Sequence, residues 1–181
     1  MACDLTAGYA EPCKSFIGGI DAVYFVNYGD ISSFTLTADQ VTDMDGTFSA
    51  YKYEVKGAGN NFSQPVTSSR DNGTTFFAQT LNLSLKGLSL AMAKEIKLLA
   101  HGRPHIVVQD RNGNAFLVGR LRGAEMTAGD AGATGDAMGD KVGQVMTFVA
   151  EEPTPANFIA NPTAANPFAG MAGATVTIVT G

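Results

Sequence analysis

The stretch from Thr74 to Lys86 constrains the fold more than any other part of the chain. Phe77, Gln79, Leu81, Leu83 and Leu85 alternate with Ala78, Thr80, Asn82, Ser84 and Lys86. Successive side chains on an extended strand point to opposite faces. One face is therefore nearly all apolar, and the other is small or polar. Such a strand belongs to a sheet with one dry side and one wet side. The dry side needs a second layer. The wet side can face solvent or line a channel, and the alternation does not choose between them.

The helical plug for that layer follows directly. Leu88, Met92, Ile96 and Leu99 recur at spacings of a helix face, Ser89 is placed to cap it, and Gly102 with Pro104 stops it. This predicts a helix over about 88–101. His105 to Val108 and Ala115 to Val118 flank Asn112-Gly113, the strongest short-range hairpin signal. Leu121 to Met126 reads as a continuation of the second hairpin strand.

The remaining chain reads mostly as strands. Asp21 to Tyr28 is aromatic and β-branched, and Ser33 to Thr37 is a weaker strand inside a polar connection spanning 29–46. That connection carries Asp39, Asp43 and Asp45. Phe48 to Lys56 alternates as a half-buried strand. Phe62 to Ser69 reads as one edge strand, because Pro65 has no amide proton for a ladder. Ala128 to Lys141 reads as a loop, and Val142 to Glu151 as a strand. Pro153 to Ala172 is rich in Pro, Ala and Asn and reads as an extended linker. Ala174 to Thr180 is a terminal strand able to pair with its own sheet or a neighbour's edge.

The expected fold is mainly β with minor α content. It is an antiparallel sandwich or barrel-like subunit with one packed helix and extended terminal arms. Residues 1–20 form an N-terminal arm, 21–152 a β-rich domain, and 153–181 a linker with a C-terminal strand. Cys3, Cys13, Phe158, Phe168, Val176 and Ile178 are the candidate inter-subunit contacts on the arms.

Charge narrows the function. Charged residues are 16% of the 181, against about 25% in an ordinary soluble domain. A surface covered by partner subunits accounts for this better than one simply rich in Gly, Ala and Thr, because the 21 glycines and long polar loops also suit a β assembly protein. The net charge is −5, which argues against a nucleic-acid binder, since phosphate contacts need Lys and Arg. An acidic wall still suits a surface that DNA slides past. Met1-Ala2-Cys3-Asp4 shows no charged and apolar leader pattern, and no window of about 18 apolar residues predicts a membrane span.

Catalytic patterns are few. His101 and His105 are separated by Gly102 and Pro104, so one helix face cannot present both; His101 and Arg103 are placed to complement the helix C-terminus. Asp130, Asp136 and Asp140 recur with glycine without the fixed ligand pattern of a calcium loop. Cys3 and Cys13 read as reduced thiols, with a short-loop disulfide as the alternative in an oxidising medium. No nucleophile elbow, phosphate loop or dinucleotide fingerprint occurs. The sequence predicts no enzyme, no metal and no cofactor.

Three segments together carry a resemblance. They are Ala2-Cys3-Asp4-Leu5-Thr6-Ala7-Gly8 with Pro12-Cys13-Lys14, Ser69-Arg70-Asp71-Asn72-Gly73-Thr74-Thr75-Phe76-Phe77, and Glu95 to Ala100 through Asn112-Gly113-Asn114-Ala115-Phe116-Leu117. The chain resembles virion structural proteins of tailed phages that infect Bacteroidota, and within these a tail tube protein. The resemblance covers residues 1 to about 160. It implies hexameric rings stacked into a hollow tube, with strands forming a continuous inner barrel and a helix packed outside. It implies a long loop and terminal arms that bind the next ring. The implied partners are further copies of the chain, other tail proteins, and genomic DNA passing without specific binding. The implied location is the virion tail, assembled in the host cytoplasm without a membrane anchor. Asp39, Asp43, Asp45, Thr80, Asn82 and Ser84 are then the candidate lumen residues. Another virion component (a head decoration, connector or terminator protein) is the alternative, and a carbohydrate- or host-binding module is a third reading that the lack of Trp disfavours.

Overall fold

The computed structural model describes residue 5 and residues 7–181. The chain enters its main sheet at β1 (Ile20–Val26), whose residues are all buried except Asp21. A short strand apolar on both faces belongs where both faces are covered, and β1 lies in the middle of such a sheet.

β2 (Ser33–Thr37) and β3 (Gln40–Glu54) follow as a hairpin. Its turn is Ala38-Asp39, both with positive φ of 49° and 61°, the twist that a tight hairpin requires. This corrects the polar connection expected over 29–46. Asp43 and Asp45 are strand residues, and only Asp39 sits in a turn. Val41 and Met44 are fully buried between them, which fixes the strand despite its polar composition.

β4 (Asn61–Ser63) and β5 (Val66–Ser69) replace the single strand expected over 62–69. Pro65 interrupts them, and its carbonyl accepts the Ala78 amide at 3.0 Å. Both pair with β6 (Thr74–Lys86). On β6, Gln79, Leu81 and Leu83 are buried while Thr80, Asn82 and Ser84 are half-buried, so the predicted alternation holds.

α1 (Leu90–His101) starts at Ser89, whose Oγ accepts the Met92 amide at 3.1 Å, and ends where the Gly102 amide returns to the Leu98 carbonyl. Ile96 is buried, and Met92 and Leu99 pack against the same core. β7 (His105–Asp110) and β8 (Ala115–Val118) form the expected hairpin. The second strand ends at Val118 rather than running on through 121–126. Gly119 and Gly123 turn the chain with φ of 68° and 75°, and a Cβ on Gly119 would strike the Gly123 backbone. β9 (Glu125–Ala133) then pairs with β10 (Gly143–Glu152). The first part of the expected loop 128–141 is thus strand. β11 (Asn157–Phe158) and β12 (Ala174–Thr180) complete the chain.

The strands form two sheets that curl into a half-barrel. A seven-stranded sheet has the order β11-β8-β7-β1-β3-β12, with β2 also on β3; a five-stranded sheet has the order β4-β6-β10-β9, with β5 also on β6. Their strands pair antiparallel except β12, which runs parallel to β3 from Ala174 opposite Gly46 to Thr180 opposite Lys52.

The middle strands of the seven-stranded sheet, β1 and β7, are buried on both faces. Between the sheets and under α1, Val23, Phe25, Ile106 and Val108 meet Leu81, Leu83, Met146 and Phe148. On the opposite face, Tyr24, Val26, Met44, Phe48 and Leu117 are covered by Ile159, Phe168 and Met171. The segment expected as an extended linker is therefore a strap across the sheet. Phe168 sits edge-on to Tyr24 and Phe48, with ring centroids 6.0 and 5.6 Å away. Each such side chain contributes about 1.5–3 kcal/mol through burial.

Candidate functional site

The wet face of the five-stranded sheet is a polar surface joined by side-chain hydrogen bonds. Asn82 Nδ2 donates to Asn61 Oδ1 at 2.9 Å, and Asn82 Oδ1 accepts from Thr147 Oγ1 at 2.8 Å. One amide thus ties β4, β6 and β10 together. Lys141 Nζ donates to Ser84 Oγ and to the Gln144 carbonyl. Thr80 Oγ1 donates to the Ala78 carbonyl. The candidate lumen residues Thr80, Asn82 and Ser84 therefore share one face, held by neutral groups and a single lysine.

The three acids do not join them. Asp39, Asp43 and Asp45 belong to the seven-stranded sheet, and no hydrogen bond links the two groups. The Asp39 carbonyl accepts from Asn157 Nδ2 at 2.8 Å. The Asp43 carboxylate accepts the Gly173 amide at 2.9 Å, and Asp45 accepts from Ser33 Oγ. A Cβ on residue 173 would collide with the Asp45 carboxylate. Asp43 and Asp45 thus seat the chain as it enters β12.

The arm candidates divide in the same way. Cys3 lies outside the described residues. Cys13 is an exposed free thiol on the N-terminal arm. Phe158 is half exposed and leans on Phe116 at 4.7 Å between centroids. Phe168 is 2% exposed and is a core residue of its own chain. Val176 and Ile178 lie opposite Phe48 and Ala50 and pack on the same core. These three side chains are occupied within the chain, which corrects their expected place on a free arm.

Among the described residues, the N-terminal arm is held at its root. The Ile17 amide donates to Asn112 Oδ1 at 3.0 Å, Asn112 Nδ2 donates to the Ile17 carbonyl at 2.8 Å, and Arg111 donates to the Gly18 carbonyl. Beyond that clamp, Leu5, Tyr9 and Phe16 stand exposed. The β9–β10 connection also projects, with Met138 fully exposed at its tip. Its Asp140 carboxylate accepts the Ala137 and Asp136 amides, which hold its pKa below the usual carboxylate value. Asp130 likewise accepts the Gly132 amide. These acids bond to their own loop backbone.

The buried ionisable groups surround the turn at 119–123. Glu152 is 2% exposed, and its Oε1 accepts the Leu121 and Arg122 amides at 2.9 and 3.0 Å. His105 is buried, donates from Nδ1 to the Gly119 carbonyl at 2.8 Å, and stacks on Tyr28 at 5.0 Å between centroids. Burial lowers its pKa, against the pull of the Gly119 hydrogen bond and the Glu152 charge. The Arg103 guanidinium lies over the Tyr28 ring, 4.1 Å from its centroid. His101 donates to the Lys97 carbonyl. Sequence reading missed this group, since its members come from β7, β10 and two turns. Among the described residues no group of three His, Cys, Asp or Glu converges as a metal site. No helix of the described residues is long and apolar enough to cross a membrane.

Comparison with protein-family models, curated proteins and solved structures gave no match.

Proposed function

We propose that this chain is the structural subunit of a phage tail tube, assembling as hexameric rings stacked around a lumen through which DNA is ejected. The observation that carries the reading is a half-barrel with an open edge on each sheet. Among the described residues, nothing pairs with the outer side of β9 or of β12. Exposed strand edges are ready templates for another chain, and ring closure removes them. The wet face of β6 then lines the bore with small neutral groups, which offer passing phosphate little to hold. The projecting 134–142 loop and the N-terminal arm are the contacts to further copies. Other tail proteins bind the ends of the tube, and the protein resides in the virion tail.

Native mass spectrometry of the purified protein tests the ring. Six copies and multiples of six support the tube. Trimers would favour a head decoration protein. A single closed ring that never stacks at any concentration would favour a connector or terminator.

A further inference from the structure

Two hollows of about 480 Å³ each lie between β3 and α1 and meet at Tyr51, Tyr53 and Glu95. Tyr51 and Tyr53 are two apart on β3, so their side chains share one face of the sheet. On α1, Met92, Glu95 and Leu99 recur at helical spacing and form the facing wall. The Phe25 ring packs at 76° to Tyr53 with centroids 4.9 Å apart, which holds that ring in place. Tyr51 is 38% exposed and Glu95 is exposed, so the hollow is open to a ligand.

An aromatic ring presents a negative face, and a cation settles over it. This wall already holds one such pair. The Arg103 guanidinium lies over Tyr28, and both residues line the hollow beside Tyr51. Tyr51 and Tyr53 repeat the aromatic part of that arrangement next to a carboxylate. Burial, and after it the Glu95 charge, push the Tyr53 phenol up to about 12. The carboxylate is thus close enough to act on the ring. Among the described residues, Glu95 makes no ion pair. Two cations of the chain line the hollows, and both are engaged: Arg103 with Tyr28, and Lys52 with Glu54 at 3.1 Å.

We infer that Tyr51, Tyr53 and Glu95 form a site for an alkylammonium group, with the cation against the tyrosine rings and the carboxylate and its carbon stem along Met92 and Leu99. The ring faces and the carboxylate repel anions, phosphate included. A hard metal ion needs several oxygen ligands, and among the described residues no group of three His, Cys, Asp or Glu converges. An ammonium on an apolar stem meets both halves of the site. The stem takes water off Met92 and Leu99, and a drier cation is held more strongly by the rings. The inference goes beyond the tube reading and does not rest on it.

Saturation-transfer NMR with n-butylammonium chloride tests it and reads free subunit and assembly alike. The amine is expected to bind, and n-butanol, the same stem without the charge, is not. Glu95→Gln and Tyr51→Leu are each expected to weaken binding about tenfold. Tyr51→Phe keeps the ring face and is expected to keep the binding. Circular dichroism establishes that each variant remains folded. Equal binding of amine and alcohol, or unchanged binding in both Glu95→Gln and Tyr51→Leu, overturns the inference. So does an amine that binds only after residues 1–16 are removed, since Lys14 of the chain's own arm would then be the occupant. A capped lysine peptide in competition with the amine identifies the source. Displacement at lower concentration than a second free amine requires sustains the site as one for a protein lysine; the reverse order sustains it as one for a free amine.

Discussion

Among the described residues, Gln144 is the one with a buried side-chain polar atom left unpaired. It is 1% exposed, and its Oε1 has no hydrogen-bond partner. Leaving a buried acceptor unmade costs about 1–3 kcal/mol. Gln144→Met keeps nearly the same volume and removes the orphan. It is expected to raise stability by about 1 kcal/mol, read as a higher urea midpoint with unchanged m-value. His105 makes the opposite kind of demand. Its folded pKa lies below its ordinary 6.5 because burial disfavours the imidazolium. The unfolded chain therefore takes up the proton first as pH falls. Stability from this residue is complete above about pH 6.5 and declines as pH drops toward the folded pKa. Urea unfolding between pH 8 and 5 checks this. The wild type should lose more stability over that range than His105→Gln, and parallel curves would contradict it.

The strap is the element that most changes the picture drawn from sequence. Residues 153–172 lack periodicity, and their Pro/Ala/Asn composition carries no preference for helix or strand. Yet Ile159, Phe168 and Met171 cover a whole sheet face. Long-range packing, which local pattern does not encode, decides their place. Phe168→Ala is expected to cost about 3–5 kcal/mol by equilibrium unfolding; a change under about 1 kcal/mol would mean the strap is dispensable. The elements read correctly were those with strong local signals. These were the β6 alternation, the Ser89 cap with its Gly102 stop, and the Asn112-Gly113 turn. The β2–β3 hairpin was hidden because its turn is Ala38-Asp39, neither of which advertises a positive φ. The β9 strand was hidden because Ala128 to Ala133 holds no β-branched residue, and β10 supplies its order by pairing. The candidate site was legible only in part. Thr80, Asn82 and Ser84 fall on one face as alternation requires. Asp43 and Asp45 were grouped with them by charge alone, and the structure places them on the other sheet, seating Gly173 and bonding Ser33.

As a whole molecule, the chain has few charges, two sheets with open edges, and an N-terminal arm whose described residues include exposed apolar side chains. Such a surface is expensive for a monomer to leave in water and useful to one that polymerises. Its low share of charged residues, 16% of the sequence, is compatible with the bore proposed above, which would offer passing DNA little to hold. Copies that repeat one heterologous contact close into a ring or extend into a filament, depending on the rotation between them. Negative-stain electron microscopy of the concentrated protein tests this most directly. Hollow tubes built of stacked six-fold rings are the predicted result. Dispersed particles of trimeric or closed dimeric form, with no ring at any concentration, would contradict the account.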